Sequence, residues 1–414
     1  EQFFGHHRRR YFANPTQYYR RACFGLAQGL TPGAIMSTFV NPAQTPGIGL
    51  SEEQAQLIDI AAGFCRDKSP VAEVRALLEE DTGFNPGIWE EIAELGWLGI
   101  GIPDTYGGIG LSLGEIVPIV EQMGRHLLTT PYVSTVLAAQ SVLRGGTEAQ
   151  KNEILPKLAS GTAATLGLCE DHGDWNLSHV TCKGSVTGDK LALSGTKYLV
   201  SDVREAAYMV ATVAVDDQAN LAIIPTDALP PKAVRREKII DETRRAFAVV
   251  LDGITLPADA LMDKGAVADT LAHIELAASL LAAAEMCGGT YSVIDYTLDY
   301  LKTRKQFGKL IGGYQSLKHT MVDAHMGYER ARAHLYSAAF LFGQQGEGEI
   351  AVRMAKAEAE EAFAFAADRA IQFHGGYGFT YDCDAQLYRR RAIWNAALYG
   401  DARYHRRKLA DLMF

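Results

Sequence analysis

The spacing of apolar residues changes period twice along the chain, and this limits the fold more than any other feature. From about Ser51 apolar positions recur every three or four residues, as in Leu57, Ile58, Ile60 and Ala61, after a capping-type start at Ser51-Glu52-Glu53-Gln54. Helical patterns continue over roughly 87–97, 112–128, 131–145 and 147–160, broken by the turn-rich Pro103-Asp104-Thr105-Tyr106-Gly107-Gly108. Near Thr162 the pattern shortens. Brief apolar stretches at 164–168, 190–193, 208–215, 221–224 and 247–251, separated by Gly, Asp, Asn and Pro, predict antiparallel strands. After Pro257 helical patterns return over about 265–303, 314–343, 347–373 and 384–398, with a last one after Asp401. The expected fold class is α+β, mostly α. It has an N-terminal helical domain over 51–161, a middle antiparallel β domain over 162–260 and a C-terminal four-helix bundle over 261–414.

The remaining stretch, 1–50, differs in composition. Arg8, Arg9, Arg10, Arg20 and Arg21 face a single acid, Glu1. Such a start is read either as a transit peptide or as an ordered extension on a subunit surface, and the absence of an amphipathic period favours the extension.

Bulk properties exclude several functions. A net charge of −9 leaves no basic stripe for a nucleic acid. The 6 cysteines form no CxxC pair, and only Cys169 has a histidine, His172, near ligand spacing, so neither a zinc site nor a disulfide framework is expected, and a reducing, cytoplasmic setting is. No uninterrupted apolar run reaches the roughly 18 residues of a membrane span, so none is expected.

Two motifs carry chemistry. One is Arg304-Lys305-Gln306-Phe307-Gly308-Lys309-Leu310-Ile311-Gly312-Gly313-Tyr314-Gln315-Ser316-Leu317-Lys318-His319, the other Gln372-Phe373-His374-Gly375-Gly376-Tyr377-Gly378-Phe379-Thr380. A fixed cation such as Arg304 beside Gly-rich backbone donors suits a pyrophosphate. Phe307 can cover an adenine face, and Gln315 can donate or accept at an adenosine. The bland readings are that Arg304 pairs with Asp299 and that Gly375-Gly376 only ends a helix.

Together with Gly195-Thr196-Lys197 and the 146–161 segment, these motifs and the element order closely resemble the acyl-CoA dehydrogenase family from about Ser51 to the C-terminus. The resemblance implies FAD, held by Arg304, Gln306, Phe307, Gln315, Gln372, Gly375 and Gly376 at a subunit interface, with Ser201 near flavin N5 or O4. Ser201 has an alternative role in capping a strand-end turn. The resemblance further implies an acyl-CoA substrate, an electron-transfer flavoprotein as acceptor, and a homo- or hetero-oligomer, a dimer of dimers. The reaction needs a base for the α proton and a flavin acceptor for the β hydride.

Departures from the family pattern bear on that base. Where relatives carry Tyr-Glu-Gly-Thr, this chain reads Leu398-Tyr399-Gly400-Asp401, and the second family location for a base falls on Ala278. The candidates are therefore Asp401, which also suits a helix N-cap, and Glu275, one turn before Ala278, which also suits a helix surface. The family's Thr-Glu-Pro-Gly-Ala-Gly-Ser-Asp becomes Leu168-Cys169-Glu170-Asp171-His172-Gly173-Asp174-Trp175, and its CoA-holding Asp-x-x-Arg becomes Leu276-Ala277-Ala278-Ser279. His172 and Trp175 then line either an altered pocket or a solvated loop. Such divergence is similar to bacterial dehydrogenases of bulky acyl-CoA esters, some built from two different chains. A flavin oxidase or monooxygenase on the same scaffold, and a non-catalytic subunit, stay open as alternatives.

Overall fold

The computed structural model describes residues 52–414, and the expected Arg-rich extension over 1–50 lies outside the described residues. The first part is helical: α1 (Glu52–Lys68), α2 (Val71–Ala76), α3 (Pro86–Glu94), α4 (Val117–Arg125), α5 (Tyr132–Gly145) and α6 (Glu148–Ala159). Local sequence sets several of these starts. Asn85 caps α3 through Gly87 N–H, and Thr147 and Gln150 form a reciprocal capping box at the head of α6.

Nine strands follow: β1 (Ala164–Gly167), β2 (Lys183–Thr187), β3 (Lys190–Ser194), β4 (Thr196–Ser201), β5 (Tyr208–Val215), β6 (Gln218–Pro225), β7 (Val234–Arg236), β8 (Ala246–Val250) and β9 (Thr255–Pro257). One sheet runs β1-β5-β2-β3-β9 with β6 also on β5, and a second runs β4-β8-β7. An apolar core that includes Leu191, Val200, Met209, Val213, Ile224, Phe247 and Val249 draws residues from both sheets. The expectation of an antiparallel β region needs one correction, because β1 and the first residue of β2 pair with β5 in parallel. All four residues of β1 are buried, the environment in which parallel pairing is found. Strand β2 escaped the sequence reading because four of its five residues are exposed, so it has little apolar signal.

The last part holds α7 (Val267–Thr303), a small hairpin of β10 (Lys305–Gln306) and β11 (Lys309–Leu310), then α8 (Gln315–Leu341), α9 (Glu347–Phe373), α10 (Ala385–Ala397) and α11 (Ala402–Met413). Among the described residues, one helical stretch, Lys264–Thr303, would by length and composition be able to cross a membrane, although its apolar residues do not form one uninterrupted run. Here 61% of its most apolar window is buried, as in the core helix of a bundle. Helix α7 meets α4 backbone to backbone through two glycines. A Cβ on Gly124 would stand 2.1 Å from Glu285 O, and one on Gly288 would stand 1.8 Å from Glu121 O. This close crossing fixes the level of Glu285 against the helical layer. A second tie lies deeper: Glu121 pairs with buried Arg332 at 2.9 Å and accepts from Tyr336 Oη at 2.6 Å, joining α4 to α8.

Candidate active site

Two concave regions draw on the residues singled out in the sequence. The first is an open groove of about 730 Å³ in the bundle, lined by Arg304, Gln306, Phe307, Tyr314, His374 and Gly375-Gly376 among others. Both motifs thus meet on one surface. Arg304 ends α7, and the chain turns immediately into the β10–β11 hairpin, whose two central residues, Phe307 and Gly308, both have positive φ (53° and 79°). That is the backbone of a tight two-residue hairpin turn, which normally selects Asn, Asp or Gly at its first position. A phenylalanine there is strained, and its side chain is 90% exposed at the tip. Gln315 and Gln372 are exposed and flank the lining residues Tyr314, Ser316 and Phe373 without themselves lining the groove.

The groove suits a flavin dinucleotide. It has a guanidinium, an uncovered aromatic ring and a glycine pair at which no atom lies within 4 Å of the place a Cβ would take, so a diphosphate can approach the backbone.

The second region is a narrow cleft at the meeting of helical layer, strands and bundle, lined by residues that include Ser134, Leu199, Ser201, Asp202, Arg244, Ala278, Glu285, Asn395 and Tyr399. Ser201, Leu199 at the family's Trp position, and Ala278 and Tyr399 at its two base positions are therefore brought together. Three non-glycine residues of the lining, Leu199, Asp202 and Tyr399, have φ of 53°, 54° and 58°, a concentration of unfavourable backbone typical of functional sites. Asp202 is buried and accepts from Ser134 Oγ at 3.1 Å, and burial raises its pKa. Glu285 is ion-paired with both Arg244 and Arg391, and Arg391 also binds Asp241 and the Thr243 hydroxyl. Burial pushes the Glu285 carboxyl up, but the two guanidiniums overcome it and hold it at about 2. The Tyr399 phenol is pushed by burial up to about 12.

Neither carboxylate singled out as a base lines this cleft. Asp401 is exposed and N-caps α11, accepting from Tyr404 N–H at 2.7 Å. Glu275 accepts from Arg353 at 2.8 Å and from Tyr404 Oη at 3.0 Å, which turns it toward α9 and α11. The Gly-Thr-Lys motif has a framework role. Lys197 is wholly buried and reaches Glu170 at 2.6 Å and Thr212 Oγ1 at 2.7 Å. Trp175 donates to Ala397 O at 2.8 Å and packs on the Tyr399 ring at 4.9 Å, so the 168–182 loop leans on the cleft wall. In the same loop His172, Asp174 and His179 bring ligand-type atoms within 4.8 Å of one another. The two imidazoles lie face to face at 4.4 Å, so their in-plane lone pairs do not converge on one point.

Sequence reasoning missed Asp202, Arg244, Glu285 and Asn395. Glu285 had a signal, a lone acid within the apolar run 280–287. Arg244 had none, since Asp241-Glu242-Thr243-Arg244-Arg245 reads as a solvated turn.

Comparison with known proteins agrees with this arrangement. Residues 51–162 match the acyl-CoA dehydrogenase N-terminal domain and residues 264–414 the C-terminal domain. Acyl-CoA dehydrogenase IpdE2 of Mycolicibacterium smegmatis is 30% identical over 366 residues, covering 88% of this chain and 100% of the relative. Acyl-CoA dehydrogenase FadE12 of Mycobacterium tuberculosis is 30% identical over 71% of this chain and 79% of its own length. Among solved structures, the Tcur3481-Tcur3483 steroid ACAD superposes with a TM-score of 0.77 at 26% identity, covering 87% of this chain and 98% of that one. The family domains at both ends and a relative matched along its whole length make the conclusion direct: the chain belongs to the acyl-CoA dehydrogenase family.

Proposed function

We propose that this chain is a subunit of an oligomeric, FAD-dependent acyl-CoA dehydrogenase that removes the α and β hydrogens of a bulky acyl thioester. The observation that carries the reading is the pairing of a complete nucleotide-type groove with a cleft built at the family's flavin and base positions. FAD supplies the acceptor for the β hydride when bound. Arg304 would hold the diphosphate, Phe307 would cover the adenine and Gly375-Gly376 would let the backbone approach, with Gln306 in the lining and Gln315 and Gln372 beside it. Ser201 would bond the ring in the cleft and steady charge that develops there. Ala278 and Arg304 are 26 positions apart on and at the end of one helix, roughly 39 Å at 1.5 Å per residue. At that separation the groove of one chain would hold a cofactor shared with the cleft of another, and binding would require assembly. Electrons leave to an electron-transfer flavoprotein.

Asp401 remains the first candidate for the α-proton base and Glu275 the second. Asp401 would have to leave its capping bond for its carboxylate to turn toward the cleft. A second reading follows from its present position: this chain contributes its groove to a partner whose own cleft carries the base, as the two-chain makeup of the Tcur3481-Tcur3483 relative suggests.

The experiment is anaerobic titration of the assembled, FAD-loaded protein with a panel of acyl-CoA esters, followed by flavin bleaching, for wild type and Asp401→Asn. Asparagine caps a helix as well as aspartate does, so the fold is kept. A loss of bleaching rate of 100-fold or more assigns the base to Asp401, an unchanged rate assigns it elsewhere, and no bleaching with any ester by FAD-loaded wild type overturns the dehydrogenase reading.

A further inference from the structure

The wall of the cleft formed by the end of α10 and the turn into α11 is held from behind by a lysine with no assigned role. Lys356, on α9, is wholly buried. Its Nζ donates to Asn395 O at 3.1 Å and to Gly400 O at 3.0 Å, with Glu360 at 3.5 Å. Asn395 lies in the last turn of α10, whose terminal carbonyls have no partner within the helix, and Gly400 is buried. Both oxygens would be stranded without the ammonium, which also suits the negative end of the α10 dipole. The intervening carbonyl is held as well. Tyr399 O accepts from His405 Nε2 at 3.1 Å, which places the ring proton on that nitrogen and leaves Nδ1 buried without a partner.

The clamped segment is the one under strain. Tyr399 and Gly400 have φ of 58° and 92°, and a Cβ on Gly400 would meet the Tyr404 ring at 2.3 Å. Such a conformation persists only when its surroundings over-determine it. Asn395 and Tyr399 line the cleft, so the bonds behind them set its shape.

We infer that Lys356 is a positioning residue whose buried ammonium, together with His405, fixes the 395–400 wall of the cleft and so sets how an acyl-CoA is accepted. The functional half of this inference rests on the acyl-CoA reading above. The clamp itself does not.

The charge state makes the clamp sensitive to pH. Burial drives the Lys356 ammonium down to about 8, against the upward pull of Glu360 on its own helix and Asp401 at the head of α11. The other charged groups nearby are Arg353, one turn away and tied to Glu275, and His405, whose pKa is held at about 3 by burial and the cations, so it stays neutral throughout. Losing the proton weakens two charge-assisted hydrogen bonds to neutral ones, roughly halving their strength.

The test uses the full-length protein. In Lys356→Met, hydrogen exchange of a peptide spanning 395–404 is expected to rise about tenfold, with Lys356→Arg recovering most of the protection and exchange in the β region unchanged. Exchange in a folded Lys356→Met that equals wild type overturns the clamp. Should Lys356→Met not fold, wild type decides. The near-ultraviolet circular dichroism difference between wild type and Trp175→Phe, which reports the ring seated on Tyr399, should show an inflection near pH 8. A flat profile between about pH 6.5 and 9.5 overturns the inference. Binding of a non-reactive acyl-CoA thioether, read from the flavin spectrum, separates the two claims. If wild type binds none while the exchange and dichroism results hold, the acyl-CoA reading fails and the clamp stands. If wild type binds it and Lys356→Arg binds at least several-fold more tightly than Lys356→Met, both stand.

Discussion

Arg304, Phe307 and Gly375-Gly376 stand on an open groove supplied by two short contiguous segments, whereas Leu199, Asp202, Arg244, Glu285 and Tyr399 meet in a narrower cleft from places up to 200 positions apart. Few bonds within the chain hold the groove residues. The cleft residues are tied by ion pairs buried between helices and strands. A surface that waits for a ligand can be encoded locally, while a preorganised cleft needs the whole fold.

Substitutions at each region sharpen that contrast. Arg391 is wholly buried and joins Asp241, Thr243 and Glu285 behind the cleft, so Arg391→Met takes the cation from buried Asp241 and one of two cations from Glu285. Asp241 then keeps only the Thr243 donors and Glu285 only Arg244, and the loss should lower unfolding free energy by about 3 kcal/mol in a denaturant titration. A loss under about 1 kcal/mol would mean that packing alone holds the cleft. The same network predicts the acid limb of stability. The Glu285 carboxyl is held at about 2 against an ordinary 4.5, so its contribution is fully present above pH 4.5 and is lost as pH falls through 2. That contribution is on the order of 3 kcal/mol, and Glu285→Gln should flatten this part of the stability profile.

The groove should behave in the opposite way. Arg304→Gln is expected to change stability by no more than about 0.5 kcal/mol, yet to weaken FAD retention by at least about tenfold in dialysis against free flavin. A stability loss equal to that of the cleft variant would erase the distinction. Phe307→Asn should change stability in the other direction, raising that of the chain without cofactor by about 1 kcal/mol through relief of a left-handed phenylalanine that packs on little, while reducing FAD affinity.

How much of this was legible follows from the same contrast. The switch from helical to strand period and back needs no long-range information, and neither does a motif in which Arg304, Phe307 and Gly308 are nearly adjacent. The strand β2 and the parallel pairing on β5 were not legible, because exposed polar residues carry no period and pairing partners are not local. The left-handed backbone at Leu199, Asp202 and Tyr399 was invisible for a simpler reason: no glycine marks it. Asp401 and Glu275 were chosen on position along the chain. The Asp401 cap on Tyr404 N–H is local and was one of its two readings, whereas the bonds of Glu275 to Arg353 and Tyr404 depend on how α11 packs against α7 and α9, which spacing cannot reveal.

The hairpin tip at Phe307 has a consequence for how such a protein evolves. Selection for a sturdier chain alone would readily replace that phenylalanine by asparagine or glycine, because nothing inside the chain repays the left-handed turn and the bare ring. On the proposed function, a lineage that keeps the aromatic tip is being selected on the assembly and its cofactor. Loss of the tip would mark a copy drifting away from shared flavin binding well before its fold had changed.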